Sequence, residues 1–290
     1  MDSISEHITA NTIANQIRLE RAAFVGSFLL LEGDNDARLF RKFIDDTACS
    51  VEICHSRDRV LEVLRKLQAD QFQGVLGIVD QDYAEFVGYP DLEGAVVYSD
   101  FNDLEISILS SPALDNVVRE FGIIEKAAGA AKAQNCSIAE LLFKWVRSLG
   151  ALRLLSHQNG WALKFQKMKY KFVSSSDPEI SLSDTVTHIL ARSSIAELKS
   201  DVVERLAIEL LGTIDDDRSI ARGHDCVRVL GKALNCTFGN CNDFNSDNDR
   251  YRKLAKVLRL AFDFDYFKDT KAYALIKAWE IESDYKVFKN

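Results

Sequence analysis

The sequence predicts an α/β domain built on a parallel sheet flanked by helices, followed by a mainly helical C-terminal domain. Three observations carry this. Between Phe28 and Ser111 short apolar runs alternate with amphipathic stretches, two of those runs end directly on a carboxylate, and after Pro112 helical periodicity takes over. Apolar runs of roughly four to six residues separated by helices suit a sheet covered on both faces, whose strands bury both of their sides.

Taken in order, residues 1–23 are expected to form a leading helix, with Ile8, Ile13, Ile17 and Leu19 as an imperfect apolar stripe. Residues 24–115 make the α/β domain through the succession FLLLE, DARLFRKFIDD, SVEICH, DRVLEVLRKLQ, GVLGIVD, AVVYSD and DLEISIL. Residues 116–290 make the helical domain. Helical stretches are read around 113–133, 137–157, 183–213, 219–235 and 249–283, with a short extended piece near 165–174. Only three prolines occur, and no Gly/Ser-rich linker or internal repeat divides the chain, so these boundaries rest on pattern alone.

The chain of 290 residues is 47% hydrophobic, enough for a full core. No apolar run approaches the roughly 20 residues of a membrane helix, and the first residues lack the charged-then-apolar order of a signal peptide. The expectation is a cytoplasmic protein with no membrane association. Six cysteines without a CxxC pair read as reduced thiols. His224, Cys226, Cys236 and Cys241 can be imagined as zinc ligands, but a gap of two between His224 and Cys226 fits no common structural zinc spacing, and buried or incidental cysteines are the plainer reading. A net charge of −8 argues against a lysine- and arginine-coated nucleic-acid binder. It leaves room for a nucleic-acid enzyme, since carboxylates that hold a cation add negative charge the cation neutralises.

Two strand ends carry the chemistry. In FLLLEGDNDARLF the apolar run stops at Glu32, Gly33 is expected to keep the turn tight, and Asp34, Asn35 and Asp36 offer helix caps. In GVLGIVDQDY a second run leads into Asp80 and Asp82, which would lie on one side of an extended strand end. Ligands of open parallel sheets bind beyond the carboxyl ends of the strands, so Glu32, Asp80 and Asp82 are aimed at the functional rim. A third cluster, SDFNDLEISIL, places Asp100, Asp103 and Glu105 after the next strand, and three acidic rims on successive strands would converge. Carboxylates without matched His or Cys donors suit Mg2+ or Mn2+. A strand-final Glu before Gly is also an ordinary turn residue, and a DxD is common in solvated loops.

LLLEGDNDARLF followed by IVDQDY resembles the Toprim domain of topoisomerases, primases, recombination proteins and overcoming-lysogenization-defect nucleases. Its pattern is a strand-final Glu and a later DxD. YSDFNDLEISIL, LGALRLLS and RGHDCVRVL are similar to segments of a Toprim family close to the effector nucleases of the PARIS anti-phage defence system, so the resemblance covers about two thirds of the chain. It implies Glu32 as metal ligand or general base, Asp80 and Asp82 as metal ligands, and Glu105 as a further ligand. It also implies an ABC-type ATPase partner that holds the nuclease inactive, RNA (tRNA in particular) as substrate, and a homodimer once released. The chain has no GxxxxGK(S/T) phosphate loop, so ATP hydrolysis would belong to that partner. No tyrosine-bearing cleavage domain is recognised, which departs from topoisomerases.

Other residues have two readings each. Arg57 and Arg59, in HSRDRVLEVL, would contact phosphate on the same rim or lie in solvent at a helix start. His224 would be an accessory to the active site or a structural hydrogen-bonding group, with Asp225 capping a helix beside it. Lys167, Lys169 and Lys171, in LKFQKMKYKFV with Lys164, would grip nucleic acid or line a half-buried edge strand. Trp145, Trp161 and Trp279 read as core or interface. The rival functional classes are a non-catalytic regulatory or scaffold subunit, whose acidic rim binds metal or docks a basic partner, and a phosphohydrolase or primase-like enzyme.

Overall fold

The computed structural model describes residues 8–89, 92, 94–165, 180–193, 195, 198–244 and 247–289. The chain forms two compact units. One comprises Met1–Gln81, Gly88–Asp100 and Asp263–Asn290; the other comprises Asp82–Val87 and Phe101–Phe262.

The first unit is built on four parallel strands, β1 (Ser27–Leu31), β2 (Cys49–Ile53), β3 (Val75–Val79) and β4 (Val96–Tyr98), in the order β2-β1-β3-β4. The central strands β1 and β3 are buried throughout, as expected of strands with helices over both faces. Helix α1 (Ala10–Glu20) starts on Thr9, whose hydroxyl accepts the Thr12 amide; α3 (Arg57–Ala69) starts on Ser56, which accepts the Arg59 amide in the same way. Both helices pack into one core cluster holding Ile13, Ile17, Phe28, Leu30, Val60, Leu64 and Val79. The stripe of α1 is completed by Ala10 and Ala14, whereas Leu19 is 77% exposed, contrary to its expected place in that stripe. Its position next to Arg18 and Glu20 falls on the polar side of the turn. Helix α2 (Asp34–Phe40) follows β1, with Gly33 as its N-cap in an extended conformation. A side chain at Gly33 would meet nothing closer than 3.7 Å, so the turn does not require glycine, contrary to expectation.

The last residues of the chain complete this unit. Helices α13 (Phe264–Lys268) and α14 (Lys271–Ser283) carry Phe264, Phe267 and Tyr273 against Phe40, Phe43 and Phe288 in a stacked and edge-to-face aromatic cluster. The tail pairs with the α/β core, Ile44 bridging Phe288 and the Asp45 amide donating to Val287.

The second unit is helical: α4 (Ala84–Val87), α5 (Leu104–Leu109), α6 (Pro112–Phe121), α7 (Ile124–Ala133), α8 (Ile138–Gln158), α9 (Leu182–Ser193), α10 (Ser200–Leu211), α11 (Gly223–Cys236) and α12 (Asp247–Ala261) are its α-helices among the described residues. Helix α8 runs through its centre. It opens with a capping box between Ser137 and Glu140 and buries Trp145, which stacks on Phe238 at 5.5 Å. Three of the long helical stretches read from the sequence are subdivided, with breaks between α6 and α7, between α9 and α10, and between α12 and α13. At the first break the Ile123 amide bonds to the Phe238 carbonyl instead of continuing the helical ladder. Among the described residues no helix is long and apolar enough to cross a membrane.

Candidate functional site

Glu32 follows β1 and Asp80 follows β3, and these strands are hydrogen-bonded neighbours with Leu31 opposite Ile78. The parallel register therefore brings the two strand ends side by side, and Oε1 of Glu32 accepts the Asp80 amide at 2.7 Å. The next amide, that of Gln81, donates to Ser99 Oγ just beyond β4 at 3.1 Å. Arg57, the first residue of α3, reaches the Gln81 carbonyl with Nη1 at 3.1 Å, and its guanidinium lies 5.7 Å from the centre of the Tyr98 ring. Arg57 thus braces the Asp80 turn. Arg59 bonds instead to the Cys54 carbonyl.

Asp82 belongs to the helical unit. The strand has ended at Val79, and Asp82 and Tyr83 take positive φ values of 43° and 66°. The expected extended arrangement, with Asp80 and Asp82 on one side of a strand end, does not occur, because the chain has already turned into the left-handed region. Here the Asp82 amide donates to the Asn102 carbonyl at 3.1 Å and the Tyr83 amide donates to Asn102 Oδ1 at 2.9 Å. The Tyr83 ring is sunk among Ala151, Leu154 and Ile220.

The third acidic cluster is divided among structural tasks. Asp100 caps α14, accepting the amides of Lys271 and Ala272 at 2.8 Å each. Asp103 caps α5 by accepting the Ile106 amide at 3.0 Å and also accepts the Gly223 amide at 2.7 Å. Free helix N-termini present unpaired donors, and a short acidic side chain one residue upstream is the cheapest partner for them. Glu105 accepts the Tyr251 hydroxyl at 3.2 Å. Desolvation first and the Glu105 charge second push the buried Asp103 carboxyl above the ordinary carboxylate range, while its two amide donors pull it back.

His224, one residue into α11, stands edge-on to the Tyr251 ring at 4.3 Å. The residue keeps an exposed side. The packed side of the ring loses water, which holds its pKa below the ordinary value, and Glu105 opposes that shift. Asp225 does not cap α11 as expected; it is buried within the first turn, in a two-pronged pair with Arg153 at 2.7 and 3.1 Å. Lys167, Lys169 and Lys171 lie outside the described residues, as does most of the expected extended piece near 165–174. Trp145 is core as expected, and Trp279 is half-buried and stacks on Tyr285.

Asn102, Ser99 and Tyr251 are the polar groups that sequence reasoning missed. An asparagine among acids in SDFND reads as ordinary loop composition, and nothing local shows that it reaches back to Tyr83. Among the described residues no three His, Cys, Asp or Glu side chains are grouped so as to hold a metal ion, and this includes the imagined zinc set. Compared with models of known protein families and with curated proteins, the chain matches none.

Proposed function

We propose that this chain is a Mg2+- or Mn2+-dependent nuclease of the Toprim type, with Glu32 and Asp80 as the residues that hold the ion. The supporting observation is the pairing of Glu32 with Asp80 at the carboxyl ends of two adjacent central strands. A hard cation of this class takes one or two carboxylates and fills its remaining positions with water and substrate phosphate. The donor chemistry of Glu32 and Asp80, all oxygen, fits that requirement. When bound, the ion would polarise the scissile phosphate and acidify the attacking water or RNA 2′-hydroxyl.

The chain's own residues prepare the site. The Asp80 amide fixes one oxygen of Glu32, which orients that carboxylate without neutralising it. Ser99 and Arg57 then pin Gln81, the first through its amide and the second through its carbonyl, so the aspartate turn is held before any ligand arrives. In the biological reading that the resemblance implies, the nuclease is the toxic effector of an anti-phage system. An ABC-type ATPase holds it, and once released, as a homodimer, it cleaves RNA, tRNA in particular.

The test is incubation of the purified chain with labelled tRNA and DNA in Mg2+, Mn2+ or EDTA, beside Glu32→Gln and Glu32→Ala. The expected result is metal-dependent cleavage of RNA that both variants lose while remaining folded. Retained cleavage in the variants overturns the assignment. A second reading, a non-catalytic subunit whose acidic rim binds metal or a basic partner, is favoured by the use of Asp100 and Asp103 as helix caps. It predicts metal binding without cleavage, together with co-purification of a partner.

A further inference from the structure

We propose that the outer face of α14 is a self-complementary docking surface for a second copy of this chain, an interface that stands independently of the nuclease reading and supplies a surface for the homodimer which that reading implies. One side of α14 is buried, through Ala272, Ile276 and Glu280. The other side exposes Lys271, Ala274, Leu275, Ala278, Ile281 and Glu282, with Leu275 54% and Ile281 78% exposed. At 3.6 residues per turn these six fall in one arc centred on Ala278. The middle of the arc is apolar, and its charges are Lys271 at the N-terminal end and Glu282 at the C-terminal end. A helix that faces solvent turns polar residues outward, and α3 of the same unit does so with Asp58, Glu62, Arg65 and Gln68. The outer face of α14 has instead the composition of a covered one.

The pattern also says what covers it. Leu275 stands three residues before Ala278 and Ile281 three residues after it. Two copies of α14 laid antiparallel about a twofold axis at Ala278 therefore set Leu275 of each against Ile281 of the other, and Lys271 of each beside Glu282 of the other. Both ends of the contact then carry an attractive pair. A parallel pairing would set like charges against each other at both ends. The methyl side chain of Ala278 lets the two helix axes approach closely. A twofold contact uses one patch twice, so it requires a patch that complements itself, and this one does. A contact confined to one helix pair is small beside the roughly 1,200–2,000 Å2 of a standard stable interface, so the expected species is a dimer that forms as concentration rises.

The experiment is sedimentation velocity of the full chain over a wide range of concentration. The proteins are the wild type, Leu275→Glu, Lys271→Glu, Glu282→Lys, an equimolar mixture of the last two, and Ile208→Glu. Ile208 is 62% exposed on α10 and controls for the loss of any exposed apolar side chain. All the substituted positions are exposed, and thermal midpoints verify that each variant folds. Leu275→Glu is expected to raise the dissociation constant by about tenfold or more, because the change enters a twofold interface twice. Lys271→Glu and Glu282→Lys should each weaken the dimer, and their mixture should recover it, since one copy then carries two carboxylates where the other carries two ammonium groups. Ile208→Glu should behave as wild type. A wild type that is monomeric at every concentration leaves the face to another occupant and overturns the proposal. A dimer unchanged in Leu275→Glu overturns this surface and leaves the homodimer of the nuclease reading standing. A mixture that associates no better than its components overturns the antiparallel arrangement. A chain that dimerises through α14 but cleaves no RNA supports the surface and fails the nuclease reading.

Discussion

The amide of Gly223 donates to Oδ2 of Asp103 across 2.7 Å, tying the first residue of α11 to the cap of α5. The approach is so close that a Cβ on Gly223 would fall 2.3 Å from Cβ of Glu105 and 2.4 Å from Oδ1 of Asp103. Asp103 cannot retreat without surrendering the Ile106 amide as well. Gly223→Ala should therefore destabilise the protein by about 1–3 kcal/mol, the usual penalty of overpacking. Denaturant unfolding measures it, and an unchanged midpoint would show that the two helices separate more easily than the geometry implies.

Arg153 and Asp225 form a buried two-pronged pair, with side chains 13% and 4% exposed. Removing one partner strands the other charge, so Asp225→Ala should cost about 3–5 kcal/mol, whereas replacing both with apolar residues of similar volume should recover much of the loss. Equal destabilisation in the single and double replacements would mean that packing of the Arg153 stem, not charge, dominates. The Arg153 guanidinium also lies 4.3 Å from the Phe165 ring centre, so replacing Arg153 removes a cation–π contact as well.

These pairs mark the limit of what the sequence discloses. Glu32 and Asp80 were readable because an apolar run that stops on a carboxylate defines a strand end, and the alternation of runs with helices implies neighbouring parallel strands. The turn at Asp82 was not, since DQDY contains no glycine and the acceptor of the Tyr83 amide, Asn102, lies in another segment. The tasks of Asp100 and Asp103 were hidden likewise. Nothing near Asp100 predicts that the amides of Lys271 and Ala272 will use its carboxylate. Membership of Asp263–Asn290 in the α/β unit depends on aromatic contacts such as Phe40 with Phe267, which have no local periodicity to betray them.

Glu52, on edge strand β2, has its pKa raised to about 7, by burial first and by the nearby Glu20 carboxylate second. An acid whose folded-state pKa exceeds its unfolded value binds its proton more tightly when folded. Its contribution is therefore favourable at low pH and is lost as pH rises from the unfolded pKa near 4.5 through about 7. Glu52→Gln should raise the thermal midpoint at pH 8 and leave it close to wild type near pH 4. A stabilisation that is the same at both pH values would remove Glu52 as the titrating group.

Glu280 shows the opposite linkage and fastens the chain's last residues. It is 3% exposed, and its Oε1 accepts the amides of Val287 at 2.7 Å and Phe288 at 3.0 Å, while Lys277 binds Oε2. Burial alone would raise its pKa, but the Lys277 hydrogen bond and the two amides outweigh that and hold it below the ordinary value. The depressed folded-state pKa means that the stability it contributes is present above the unfolded pKa and is lost as pH falls through the folded one. Glu280→Ala leaves two buried amides without their acceptor, at about 1–3 kcal/mol for each such group, and should loosen the tail from β1 as well, because Ser27 Oγ bonds to the Lys286 carbonyl. Glu280→Gln keeps an acceptor for both amides, so it should cost less and flatten the acid limb of the stability curve. Hydrogen exchange at Val287 and Phe288 separates the cases: it should be fast in Glu280→Ala and remain slow in Glu280→Gln at neutral pH. Equal protection in both variants would mean that the aromatic packing of Phe288, and not the carboxylate, fastens the tail.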